Sequence, residues 1–462
     1  MFRRPAALLA LLTLLVLPAC TDGGKGDGDG TPAASPAKDT PGVIVVASGR
    51  DVTGKNGVRQ QLIDAWNLRE QRAGSGYRAR LVELPGSADK QRSQLLGALQ
   101  SRSASYDVVN LDVTWVPEFA AAGLIRTLPE DLVDDDVIAP VAETARWDGD
   151  VYAVPFNSDV GLLYYRRDYL ERAGVEQSDL SADRLTWDRL QELVETLDAH
   201  PAQGSYSKGW TTQLAAYEGR TVNAVEAFAS AVEDFAPVDE DGHYTGTVEE
   251  LTDGIAELRR RTAAPYTLQD AHRSDEAGSL SDFEKGRTAF LRHWPYVYPT
   301  LHRTFTEEQL GVAPLPDRAV LGGQNLAVTE ASQRPGKAAE LIEYLTSRES
   351  ERCLLDAGFA ATRVSAYEDD VRCPTDTAAP SASPTGEGAD RVPRDEGGRP
   401  AYARTILLPA LKSAVHRPRT PLYGAFTQTL IAGLDPLFAG GPPGDEDLAR
   451  QLDEALRKAL PD

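Results

Sequence analysis

Histidine, cysteine and lysine are scarce in this chain of 462 residues, and each scarcity narrows the possible functions. The six histidines (His200, His243, His272, His293, His302 and His416) form no close i, i+4 pair and have no thiol cluster beside them, so no zinc signature is present. Lysine and arginine number 48 against 70 carboxylates, a formal net charge of -22. That deficit excludes a nucleic-acid partner, which would demand a basic surface, and direct docking on anionic lipid head groups. Nine lysines against thirty-nine arginines point to a GC-rich genome, a codon-level trait and not a physical one. Long hydrophobic runs are also missing, because the apolar stretch from Ala6 to Val16 is too short to span a bilayer. Asp239-Glu240-Asp241-Gly242 fails the calcium-loop spacing, since Pro237 and Val248 stand where the first and last ligands belong, and reads as a hairpin turn. Neither a metal nor a cofactor is expected.

What is present begins with Met1-Phe2-Arg3-Arg4, the short apolar run, and Leu17-Pro18-Ala19-Cys20. A basic start, a short apolar segment and small residues before the break describe an export signal over residues 1–19. Cys20 after Leu-Pro-Ala resembles the bacterial lipobox, whose cysteine carries lipid and becomes the mature N-terminus. Lipid there would hold the protein on the outer face of the cell membrane without a spanning helix. Three cysteines are an awkward count for an exported protein, but using Cys20 leaves Cys353 and Cys373 to pair in an oxidising compartment. Such a bond would contribute about 3 kcal/mol in the chain-entropy model. Residues 20–41 are polar, small and Pro-containing, and read as a tether that cannot bury enough surface to fold.

Order is expected from Val43-Ile44-Val45-Val46, a buried parallel strand. A helix with Val58, Leu62 and Trp66 follows, then a strand over 77–84, a helix with Leu95, Leu96 and Leu99, and a strand over 108–111. This βαβαβ unit brings Ser48 to Asp51, Leu84 to Ser87, and Asp112 with Trp115 to the C-terminal rim, where open α/β sheets bind ligands. Arg50 and Asp51 are candidates on that ground. Asp112 either accepts from ligand hydroxyls or caps a helix near Thr114, and Trp115 either covers a pyranose face or packs in the core. The stretch from Val151 to Arg166, interrupted by Pro155, is read either as a passage between two α/β lobes, with Asn157 and Asp159 at the cleft mouth, or as a buried strand with a proline bulge. Thr186 should cap the helix carrying Leu190, Leu193, Val194 and Leu197. Tyr217-Glu218-Gly219 opens another helix, where Glu218 faces the cleft or favours the helix dipole. His293-Trp294-Pro295-Tyr296 puts two aromatics on a loop, either for stacking or as a satellite apolar cluster. Gly322 and Gly323, beside Gln324, supply a hinge conformation or a close approach to ligand. Residues 374–399 form a low-complexity insertion.

YAVPFNSDVGLLYYR at 152–166, YDVVNLDVTW at 106–115, YEG at 217–219, FLRHWPY at 290–296, LGGQNLAV at 321–328 and RPRTPLY at 417–423 together resemble the family 1 extracellular solute-binding proteins of sugar ABC importers. The similarity is greatest to the trehalose and maltose branch. It implies a two-lobed, periplasmic-binding-protein-like class II α/β fold with a hinge of several crossing segments. Lobe 1 would comprise 42–156 and 324–367, and lobe 2 157–323 and 400–462. It also implies that Asp112, Asn157, Asp159, Glu218 and Arg417 hydrogen-bond a sugar, that Trp294, Tyr296 and Tyr217 line the cleft, and that Arg363 points into it. Arg417 is otherwise a surface arginine in a proline turn. Gln324 departs from that branch, which commonly carries an aromatic here. The reading is a monomeric receptor that is not an enzyme, delivering a disaccharide or small oligosaccharide to membrane permease subunits. A lipoprotein glycosidase, a polyamine receptor and a sensor for a membrane kinase stay open beside it.

Overall fold

The computed structural model describes residues 39–50, 57–84, 87–102, 104–176, 180, 184–201, 204–374, 391–439 and 441–461. Cys20, Asp51 and most of the 374–399 insertion lie outside the described residues. Asp39 to Pro41, expected in the tether, are tied down instead. The Asp39 carboxylate accepts from the backbone N–H of Gly336 and Lys337, and its carbonyl accepts from the Tyr77 hydroxyl at 3.1 Å.

Strands β1 (Val43–Gly49), β2 (Arg78–Leu84) and β3 (Val108–Asp112) run parallel, joined by helices α1 (Val58–Ala73) and α2 (Ala88–Gln100). The pleat sorts their side chains. Ile44, Val46 and Val108 pack with Leu62, Ile63 and Trp66 of α1, while Ala47, Val109 and Leu111 face Leu95 and Leu99 of α2. Ser48 and Asn110 lie on the α1 side at the strand ends, which matters for the site below. After α3 (Val116–Ala121), α4 (Ala139–Glu143) and the small hairpin β4 (Arg146–Trp147) and β5 (Asp150–Val151), the chain enters β6 (Val154–Val160). β6 closes the first sheet, whose order is β2-β1-β3-β11-β6.

The second sheet, ordered β10-β7-β9-β8, comprises β7 (Leu162–Arg166), β8 (Lys208–Thr211), β9 (Thr288–His293) and β10 (Leu310–Pro314). In β7, Leu162 and Tyr164 join the core shared with the first sheet, whereas Leu163 and Tyr165 face a separate core containing Trp187, Leu190, Leu193 and Val194. The last four belong with α6 (Trp187–Ala199), which follows α5 (Arg167–Arg172) and is capped by Thr186 Oγ1, as its sequence predicts. Helices α7 (Glu218–Ala231), α8 (Val248–Arg261), α9 (Glu276–Glu284) and α10 (Tyr298–Thr304) complete this half.

The chain returns through β11 (Leu321–Val328), then α11 (Pro335–Leu345), α12 (Arg348–Asp356), α13 (Val364–Glu368), α14 (Leu408–Lys412), α15 (Tyr423–Leu434) and α16 (Asp445–Ala459). Cys353 and Cys373 are disulfide-bonded, with 4.7 Å between their Cα atoms. α15 and α16 pack with Phe228 of α7 and Leu251, Ile255 and Leu258 of α8.

Three backbone passes among the described residues join the halves side by side. β6 becomes β7 at Gly161, β10 becomes β11 through 315–320, and Val415 bridges Val320 in the segment before α15. Residues 157–160 and 321–323, expected in the second lobe, belong to the first sheet. The physical reason is that β6 pairs with β11 continuously from Leu321–Val160 to Leu326–Val154, so the turn waits until Gly161. A Cβ at Gly161 would overlap Glu226 Oε1. Among the described residues, no helix is long and apolar enough to cross a membrane.

Candidate functional site

Antiparallel pairing sets Gln324 between Asp112 on β3 and Asn157 on β6, so three polar side chains stand in a row across three strands. A β-bulge makes this possible. Asn325 pairs with Pro155 but Gln324 pairs with Asn157, leaving Phe156 as the extra residue and turning Asn157 onto the face of Gln324. Gly323 adopts φ +124°, and a Cβ there would overlap the Asn157 carbonyl oxygen and lie 2.7 Å from Ser158 Cα. The close approach expected toward a ligand is therefore an approach to β6. Asp159 pairs with Gly322, and a Cβ on Gly322 would sit 3.2 Å from both Asp159 Cβ and Trp294 Cζ3. The missing side chain lets the carboxylate and the indole meet.

Asp112 does not cap a helix with its side chain. Its Oδ1 accepts from Thr114 N at 3.0 Å, Thr114 Oγ1 at 2.7 Å and Arg417 Nη2 at 2.9 Å, closing a local turn and a long-range ion pair at once. Arg417, 4% exposed, also donates from Nη1 to Glu218 Oε1 at 2.7 Å, while its Nε is buried without a partner among the described residues. Arg417 is thus no surface arginine. It ties the end of β3 to the first residue of α7, one element from each half. Glu218 accepts further from the Tyr423 hydroxyl and from Thr427 Oγ1 at 2.9 Å. Burial raises its pKa, and the Arg417 charge opposes that rise.

Trp294 is half-buried against Val222, Val225 and Val320, with the Arg292 guanidinium 3.9 Å from its ring centroid. Arg292 is itself fixed by two bonds to Glu226, at 2.6 and 3.1 Å. A cation on one indole face helps hold the ring in place. His293 orients the same turn. Its Nδ1 accepts from Trp294 N at 2.9 Å and its Nε2 donates to the Glu276 carbonyl, with burial pushing its pKa down to about 3 and keeping it neutral. Tyr296 is half-buried, edge-on to His293, on a 3₁₀ turn that Pro295 begins. Tyr217 is also half-buried, and burial beside Glu276 and Asp275 raises its phenol pKa. Asp159 has one oxygen buried without a partner among the described residues. Burial pushes its pKa up to about 7, opposed by Arg59 and reinforced by Asp112.

Two expected site residues lie elsewhere. Trp115, 5% exposed, packs with Val116, Phe119 and Leu111 in the core on the α2 side of the first sheet. It precedes a helix whose apolar face is buried, so its ring is turned inward. Arg363 donates to the Thr346 carbonyl at 2.7 Å and to Asp134 at 2.6 Å, beside α13 and away from Asp112 and Trp294. Burial of its stem and these acceptors draw it to the other end of α12. Arg50 is exposed at the end of β1.

The sequence reading passed over Arg59, which is 5% exposed. It donates from Nη1 to Ser48 Oγ at 3.0 Å and from Nη2 to Asn157 Oδ1 at 3.0 Å and Gln324 Oε1 at 2.9 Å. Asn110 adds bonds to Ser48 Oγ and Gln324 Oε1. A signal did exist: position 59 lies on the same helical stripe as Leu62, Ile63 and Trp66, where a charge is out of place unless paired.

Two α/β lobes joined by parallel passes, with polar and aromatic groups gathered at the strand ends, define a two-lobed binding protein of the periplasmic type. The chain belongs to the bacterial extracellular solute-binding protein family, whose profile matches residues 59–352. A "Probable ABC transporter-binding protein" of Deinococcus radiodurans is 28% identical over 328 residues, covering 66% of this chain and 73% of the relative. Maltose-bound MalE3 of T. maritima shares the fold at TM-score 0.71 and 22% identity, over 90% of this chain and all of that one. An ABC transporter solute-binding protein of Thermotoga lettingae bound to alpha-D-tagatose aligns at TM-score 0.72 and 18% identity, over 90% of this chain and 99% of that one. The protein is an extracellular solute-binding protein, and a solute is its ligand.

Proposed function

We propose that the solute is a neutral carbohydrate, a disaccharide or small oligosaccharide of the trehalose and maltose type, held between the lobes and released to the permease without chemical change. The observation that carries this reading is the row of Asp112, Gln324 and Asn157, with the half-buried Trp294 indole beside Gly322 of the same strand β11. Hydroxyls pair with carboxylate and amide groups, and an indole face suits the C–H side of a pyranose. Charge balance also supports a neutral solute. Three guanidinium groups (Arg59, Arg292, Arg417) stand against four carboxylates (Asp112, Asp159, Glu218, Glu226), and with its pKa near 7 Asp159 is only partly ionised at neutral pH. Arg363 no longer argues against a polyamine, but Arg417 and Arg292 still do. Closure of the lobes is a hinge motion at the three passes, completed by contacts made when both lobes touch the sugar. Residues near 42–160 with 321–367 form the lobe that presents the row. Lipid on Cys20 anchors the receptor, and Cys20→Ser should move it from the membrane fraction to the medium.

Calorimetry with maltose, trehalose, D-tagatose, ribitol, mannitol, spermidine and a set of amino acids tests the reading. Heat with a sugar or polyol and no hydrolysis product supports it. Heat only with spermidine or an amino acid, or release of monosaccharide, overturns it.

A further inference from the structure

We infer that Arg59 is a positioning residue that fixes the Asn157 and Gln324 side-chain amides so that both present N–H donors to the cleft. A guanidinium has N–H groups and no acceptor, so an amide facing it must turn its oxygen inward. Nη2 of Arg59 meets both amide oxygens, at 3.0 and 2.9 Å, and Asn110 Nδ2 meets the Gln324 oxygen at 2.7 Å. With two donors converging on one oxygen, flipping Gln324 would set N–H against N–H twice. The Arg59 guanidinium is itself held, bonded to Ser48 Oγ and the Gly49 carbonyl and lying 5.2 Å from the Phe359 ring centroid. Neither Asn157 Nδ2 nor Gln324 Nε2 has a partner among the described residues; Asn157 is 3% exposed and Gln324 half-buried, and neither amide nitrogen is wholly closed off. The row across β3, β11 and β6 thus reads acceptor, donor, donor.

This pattern rests on the carbohydrate reading for its consequence, not for its geometry. It selects a solute that offers one hydroxyl hydrogen to Asp112 and two lone-pair acceptors one strand spacing apart. A polyol with oxygens about 4.8 Å apart meets that demand and an ammonium chain, which has no acceptors, does not. A stacking ring at position 324 would read only the apolar face of a sugar, whereas an oriented amide reads its oxygens.

The test uses the whole protein selectively labelled with ¹⁵N at asparagine and glutamine. The side-chain NH₂ signals of Asn157 and Gln324 are assigned by their loss in Asn157→Asp and Gln324→Glu. Both are expected to exchange faster than the Asn325 side-chain amide, which donates to Thr144, and to shift in Arg59→Lys, with Arg59→Met as a stronger variant. Each acid variant replaces the outward N–H with an oxygen while keeping an oxygen toward Arg59. Melting temperature should hold or rise while affinity for maltose, or for whichever probe sugar gives heat, falls at least about 10-fold. A purely structural role for Arg59 would make Arg59→Met less stable without moving the two NH₂ signals or lowering the affinity. Amide protons protected in the free protein, or acid variants that bind the probe as tightly as the parent, overturn the inference. If none of the probe sugars binds the parent, the carbohydrate reading fails while amide exchange still decides the orientation.

Discussion

At the scale of single residues, chemistry was readable where a side chain had one plausible duty. Asp112 and Arg417, drawn from distant parts of the chain, are ion-paired, and Trp294 lies over Arg292 beside Gly322 of β11. Trp115 and Arg363 misled for the same reason as each other: a tryptophan beside a carboxylate and an arginine after a strand-like run have equally good structural uses. Arg59 was missed because its meaning depends on three strands, β1, β6 and β11, that meet only in the fold. Trp294→Ala is expected to lower sugar affinity by about 1–2 kcal/mol, or roughly 10-fold, measured by titration calorimetry, with little change in melting temperature. Asp159 carries a pH signature. Its folded pKa of about 7 exceeds the unfolded value near 3.8, so the folded state holds the proton more tightly. Its relative contribution is most favourable below the unfolded value and is lost as pH rises through about 7. Asp159→Asn should therefore melt above the parent at pH 8, by ~1–2 kcal/mol, and approach it at pH 4. An unchanged gap across that range would count against a buried, proton-holding Asp159.

At the scale of elements, periodicity located strands and helices but not where they end. The strand at 77–84 and the helix capped by Thr186 stand as read, since alternation and capping are local. The extent of β6 was not legible, because Pro155 reads as a break while the neighbouring β11 continues the ladder past it through a bulge. Gly323→Ala tests the tightness of that ladder. With φ +124° and backbone atoms of Asn157 and Ser158 in the way, the variant should lose about 2–4 kcal/mol of stability by chemical denaturation. The ion pair of Arg292 and Glu226 underlies the passes, since Glu226 Oε1 also accepts from Val320 N at 3.2 Å. Glu226→Gln leaves the guanidinium buried and short of a counter-charge, at an expected cost of about 3–5 kcal/mol, and should loosen Trp294 as seen in its fluorescence.

At the scale of the whole molecule, two cores meet across one sheet and a third sits beyond the second sheet, so the two halves share apolar packing. Cys353 of the disulfide is buried in the first core, whereas Trp294 packs in a separate small cluster. Reduction should lower the melting temperature, at a cost near ~3 kcal/mol, and leave sugar affinity unchanged. By itself the sequence determined the fold class, the net negative charge and the identities of the polar and aromatic groups, because these follow from composition and from periodicities of a few residues. Tertiary structure alone decided which oxygen faces which donor, where β6 gives way to β7, and that Arg417 joins Asp112 to Glu218. Such facts depend on register between strands and on what burial leaves unpaired, and no local pattern along the chain encodes either.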